Sequence, residues 1–190
     1  MKKYFLGALL ALSVLAFSSF VLANRADDYA SFKQDFLDLI NETRAKGCKC
    51  GNTYMPPVPP LTWNSDLEEA AKGHARDMAK RKYFSHESKD GRTMNTRIIT
   101  AGYIYKGWKS FMIGENIAFG QTSIREVMAG WFKSEGHCHN LMNPGFKEVG
   151  VAEHDKYWVQ DFGGREAFSA EQQKLIKSGK YRLIQKGPGY

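Results

Sequence analysis

The feature that most limits how this chain can fold is a stripe of small and apolar residues between Leu67 and Ala79. Leu67, Ala70, Ala71, His74, Ala75, Met78 and Ala79 recur at steps of three and four, one unbroken face of an amphipathic helix. So many alanines leave little side chain between the helix and whatever it covers, so a second layer must approach closely. His74 falls on that stripe. A histidine there is either a ligand or a core residue whose ring nitrogen finds a partner, and the unbroken face favours the core reading.

Four Ser residues followed three positions later by Glu or Gln mark helix starts: Ser31/Gln34, Ser65/Glu68, Ser123/Glu126 and Ser169/Gln172. The first predicts a helix with Phe32, Phe36, Leu39, Ile40 and Thr43 on one face, ending near Gly47. A shorter helix is expected from about Thr93 to Ala101, stopped by Gly102. The Ser123 helix carries Ile124, Val127, Met128, Trp131 and Phe132 on one face, and one further turn of that stripe reaches Glu135. The proline-rich run 51–60 predicts an extended connector without regular structure. Strand-like composition covers 113–119, 148–153 and 157–162, the last two joined at hairpin length by His154-Asp155-Lys156. These elements predict an α+β domain with helices covering a small antiparallel sheet. There is no internal repeat and no second domain.

Lys2 and Lys3, the apolar run Phe5–Leu22 and the closing Val21-Leu22-Ala23 read as a secretory signal peptide over residues 1–23. The competing reading is a signal anchor, since the run approaches a bilayer-spanning length. No other segment is long and apolar enough to span, so no transmembrane segment is expected after cleavage. The expected location is secreted or periplasmic. The domain then occupies 24–164, followed by a basic tail over 165–190 with Arg165, Lys174, Lys177, Lys180, Arg182 and Lys186 against Glu166 and Glu171. Against a net charge of +7, that tail is a solvated face or a weak contact for anionic surfaces. No nucleic-acid module is recognisable, and export argues against nucleic acid as a partner.

Cys48, Cys50 and Cys138 allow one disulfide in an exported chain and leave one thiol over. Cysteines two apart rarely bridge each other. One of the pair bridging to Cys138 would close a loop of about 90 residues, worth about 4 kcal/mol on the chain-entropy account. Cys138 lies within Glu135-Gly-His137-Cys138-His139, the densest group of reactive side chains in the chain. A nucleophilic thiol flanked by histidines is one reading. A disulfide is the one that export favours.

Several motifs occur in order: Leu-Thr-Trp-Asn at 61–64, Ala-Ala-Lys-Gly-His-Ala at 70–75, Tyr-Phe-Ser-His at 83–86 and Gly-Glu-Asn-Ile-Ala at 114–118. Gly-His-Cys-His-Asn-Leu-Met-Asn-Pro at 136–144 and Val-Gly-Val at 149–151 complete the set. Together they resemble the CAP superfamily (cysteine-rich secretory proteins, antigen 5, pathogenesis-related 1), and most of all its compact bacterial SCP-like extracellular members. The resemblance spans about residues 32–163 and implies an α-β-α sandwich. It also implies a cleft with two histidines and two acids, matched here by His86, Glu115 and His137. In longer members the fourth acid follows the helix tryptophan by three residues. That place is Ser134 here, and Glu135 comes one later. The same resemblance pairs Cys50 with Cys138 and leaves Cys48 free.

Two histidines and a carboxylate are the ligand set of many zinc sites, so His86, His137 and Glu115 are candidate ligands for zinc or another divalent cation. Glu115 or Glu135 would serve as general base toward a bound water if the cleft were hydrolytic. Three functions are therefore expected to compete. The first is a secreted binding module whose cleft (His86, Glu115, Glu135, His137) takes a metal or small ligand. The second is a metal-dependent extracellular hydrolase acting on peptide or envelope substrates. The third is an inert structural module in which these residues form a polar network. The resemblance admits lipid or protein partners as well. Tyr103, Tyr105, Trp108 and Phe111 are either an exposed apolar loop or core packed beneath it.

Overall fold

The computed structural model describes residues 28–182, so the expected signal peptide and the end of the basic tail lie outside the described residues. The chain divides into two compact units, Met1–Phe36 and Leu37–Tyr190. Residues 28–36 of the first are helical, and Ser31 donates its Oγ proton to the Asp28 carbonyl. Ser31 is thus a helix-interior residue, not the helix start that its spacing from Gln34 suggested, and the helix (α1) covers 28–46.

After α1, the chain forms a hairpin of β1 (Cys48–Cys50) and β2 (Thr53–Met55), with Cys48 opposite Met55 and Cys50 opposite Thr53. This corrects the expectation of a structureless connector. Gly51 takes the left-handed conformation (φ 58°) that the tight turn requires, and the prolines begin only at Pro56, past the paired residues. A short strand β3 (Thr62–Trp63) leads into α2 (Ser65–Arg81). Its N-cap is Asn64, whose side chain accepts from the Asp66 and Leu67 amides. Ser65 is therefore already inside the helix, and Glu68 instead holds the Trp63 indole and Lys72.

The remaining elements are α3 (Met94–Thr100), β4 (Ser110–Phe119), α4 (Ile124–Lys133), α5 (Glu135–Leu141), β5 (Glu148–His154), β6 (Tyr157–Glu166) and α6 (Ala170–Lys177). Thr93 and Ser123 cap α3 and α4, and Ser169 with Gln172 forms a full reciprocal capping box on α6. The main sheet has the order β3-β5-β6-β4. It is antiparallel except that β3 joins β5 in parallel. Asp155 and Lys156, both left-handed, make the two-residue β5–β6 turn.

Alternation along β4 and β6 sorts their side chains between two layers. Ile117 and Val159 join Ala152 beneath Ala71, Ala75, Met78 and Ala79 of α2. On the other face, Asn116 reaches the His137 carbonyl and Gln160, and Asn140 of α5 donates to Asn116. This is an α-β-α sandwich. The close approach required by the alanine stripe is realised at Gly150, where an added Cβ would collide with the Glu68 backbone. Of the aromatic segment after α3, Tyr103 is core, and Tyr105, Trp108 and Phe111 are half-buried. Tyr103 is fully buried and donates to Glu148, while the Arg165 guanidinium stacks over Tyr103 and Trp108.

Candidate functional site

His86 and His137 line the same cavity and reach it from different elements. His86 sits in the loop after α2, and His137 in α5, which begins directly after α4 because Ser134 leaves helical geometry (ψ 122°). The cavity measures about 660 Å³ and has largely apolar walls: Phe84, Ile117, Phe119, Val127 and Trp131. The imidazoles and Ser134 supply polar groups at its lining.

The His86 loop is held from behind. His74, fully buried on the α2 stripe, donates its Nε2 proton to the Ser85 carbonyl at 2.9 Å, which makes it a core bracket. Burial pulls its pKa down, so the bracket is neutral. Arg97 of α3 donates to the His86 carbonyl (2.9 Å), the Arg92 carbonyl and Ser88 Oγ. Its other amino group meets Glu115 Oε2 at 2.6 Å. Glu115 Oε1 in turn accepts from His86 Nδ1 at 2.7 Å. The His86 side chain is 58% exposed while that of Glu115 is 1% exposed. A buried Arg-carboxylate pair thus reaches the surface through one imidazole.

The electrostatics follow from that chain. Burial works against ionisation of Glu115, but the His86 hydrogen bond and the Arg97 charge outweigh it and hold the carboxyl below its usual value. Asp161 stands directly opposite Glu115 across β4–β6. It is fully buried, and neither of its oxygens accepts a hydrogen bond. Burial first, and then the neighbouring Glu115 charge, push it well above the usual carboxylate range and favour its neutral form. His137 is held below its usual value by burial and by His86, so its ring is neutral at pH 7.

The structure therefore brings together His86, Glu115 and His137, but not Glu135. Glu135 is 63% exposed, lies against Gly51 of the β1–β2 turn and faces His139 at 4.0 Å. The residue that lines the cavity at that level is Ser134. Among the described residues, the grouping of three potential metal-ligand atoms within 4.8 Å of one another is Cys48, Cys50 and Cys138, and it does not include the histidines. Two of those sulfurs form the Cys50–Cys138 disulfide. A cysteine cluster able in principle to hold a metal is thus present but engaged in a covalent bond.

Arg97 and Asp161 escaped the sequence reading. The only trace of Asp161 is Gln160-Asp161 interrupting the apolar run between Tyr157 and Phe162. Nothing local distinguishes Arg97 from any other helical arginine.

Residues 37–162 match the model of the cysteine-rich secretory protein family, CAP. The chain is 32% identical over 143 residues to YkwD, an uncharacterized protein of Bacillus subtilis (strain 168), covering 72% of this chain and 48% of that protein. Among solved structures it is similar to an extracellular protein containing an SCP domain from Bacillus anthracis str. Ames. There the TM-score is 0.57 and the identity 33%, over 68% of this chain and 39% of that one. An outer surface protein of Borrelia burgdorferi shares the fold at 20% identity and a TM-score of 0.54, over 74% of this chain and 94% of that chain. The chain spans less than half the length of the two Bacillus proteins. No helix among the described residues is long and apolar enough to cross a membrane. From the ordered motifs, the sandwich and the matched family model, the chain belongs to the cysteine-rich secretory protein family.

Proposed function

We propose that this chain is a binding module acting outside the cytoplasm, whose cleft takes a small ligand or a divalent cation at His86 and His137. The observation that carries this reading is the Arg97–Glu115–His86 chain. With Nδ1 of His86 committed to Glu115, Nε2 is the nitrogen left to meet a ligand. A neutral His137 supplies a second donor of the kind zinc accepts. Two imidazoles lining one cavity would hold the cation, with its remaining positions left to the ligand. In this reading the imidazoles are the ligands, and Glu115, buried against Arg97 and outside the cavity lining, orients His86. The apolar walls suit a ligand with an apolar body.

The same geometry weighs against hydrolysis. A general base needs a carboxylate with an oxygen free toward the reacting water. Neither Glu115, whose side chain is buried and paired with Arg97, nor Glu135 lines the cavity. Action outside the cytoplasm is supported by the family and by the relative described as extracellular. Calorimetric titration of the protein with zinc chloride, repeated on His86→Ala/His137→Ala, tests the metal reading. Micromolar binding that disappears in the double variant is expected, and heat unchanged by the variant would refute it. Quenching of Trp131 emission by 1-anilinonaphthalene-8-sulfonate, lost on filling the cavity with Ala118→Phe, tests the apolar ligand independently.

A further inference from the structure

Three sulfurs meet where the β1–β2 hairpin touches α5. Cys48 and Cys50 are two apart on β1, so strand alternation points both toward the same side, with Lys49 between them turned to solvent. Cys138, from α5, lies on that side. It is bonded to Cys50, and its Sγ is also 3.7 Å from Cys48 Sγ. Cys50 and Cys138 are fully buried and Cys48 is half-buried, with Met55, Val58, Phe132 and Met142 packed around them. This is a thiol held against a disulfide, a different arrangement from an isolated cysteine.

We propose that the cluster is an intramolecular thiol–disulfide exchange site, in which Cys138 alternates between Cys50 and Cys48. The Cys48 thiolate attacks Cys138 Sγ. The Cys48–Cys138 bond forms as the Cys50–Cys138 bond breaks, and Cys50 leaves as a thiolate that takes up the proton Cys48 gave to solvent. No outside oxidant or reductant is needed, since one disulfide and one thiol stand on each side. The two bridges span 88 and 90 residues, so chain entropy does not favour one over the other. What changes is where the thiol resides, either half-exposed at Cys48 or sealed at Cys50. The exchange would let an exported chain withdraw its one thiol from solvent without losing its cross-link.

The test is acid quenching of the native protein after prolonged incubation at neutral pH, which freezes exchange. Denaturation in acid, labelling with 4,4′-dithiodipyridine and unreduced peptide mapping follow. Label on both Cys48 and Cys50, with the two corresponding bridges, is expected. Prior capping of the native protein at Cys48 with iodoacetamide should abolish the Cys50 label, which ties that label to attack by the Cys48 thiol, while acid throughout the work-up prevents scrambling. Label confined to Cys48 overturns the proposal. The Cys50→Ser variant gives a second reading. Oxidised with glutathione disulfide, it should form the Cys48–Cys138 bridge and lose both thiols, whereas a folded variant retaining two thiols overturns the proposal.

Discussion

Arg44 and Arg97 are both buried in this domain, and their charges are accommodated in opposite ways. Arg44, in the second half of α1, is fully buried and donates to the carbonyls of Pro59 (2.8 Å), Leu141 (2.6 Å), Asn143 (3.2 Å) and Phe146 (3.3 Å). Among the described residues no carboxylate pairs with it. Burial pulls its pKa down to about 10, which still leaves it charged at neutral pH. Arg97, 5% exposed, also gathers carbonyls but places its charge against Glu115. The first spreads its charge over backbone dipoles and pins two loops to a helix. The second hands its charge, through a carboxylate, to an imidazole at the edge of the cleft. The residue type is the same, and only the partner decides whether a buried cation is a staple or part of a site.

The largest effect should come from separating Arg97 from Glu115. Arg97→Met leaves a buried carboxylate without its cation and should cost about 4 kcal/mol in urea unfolding. Adding Glu115→Gln should recover much of that loss, while the same change should recover nothing in Arg44→Met. Arg44→Met alone should cost about 3 kcal/mol, because it strips buried carbonyls of their donor.

Acid separates the two regions further. Glu115 has a folded pKa below its unfolded value, so its contribution is present above about 4.3 and lost as pH falls through the folded value. In Arg97→Met that dependence should weaken or reverse, and in Arg44→Met it should be untouched. Asp161 works in the other direction. Its folded pKa is raised, so its neutral form stabilises below about 3.9 and the benefit is lost as pH rises. Asp161→Asn should therefore stabilise the protein by about 1 kcal/mol at neutral pH, with the gain vanishing in acid. The smallest effect belongs to His137→Ala, which should change stability by less than about 0.5 kcal/mol. A larger loss there would make the cleft part of the structural network.

The sandwich was legible because its signals are local. The alanine stripe, the caps at Thr93, Ser123 and Ser169, and the β5–β6 turn are written in consecutive residues. Capping boxes misled at Ser31 and Ser65 because a Ser with a distant Gln or Glu also occurs inside helices, and Asn64 offered a better cap. The β1–β2 hairpin was hidden by the prolines that follow it. The histidines were legible by resemblance, and their common cavity now places them together. Glu115 came with the same resemblance, but Arg97 and Asp161 did not. They come from α3 and β6, and only the strand register sets Asp161 beside Glu115.

The Cys50–Cys138 disulfide has a consequence for a molecule exposed to proteases. Residues 89–92 are exposed, include Lys89 and Arg92, and fall inside the loop that the bridge closes. A trypsin-like cut there would sever the backbone without releasing either piece. The clipped molecule would run as one band on a gel without reductant and as two bands with it. Damage to the loop beside His86 could then accumulate while both fragments stay joined.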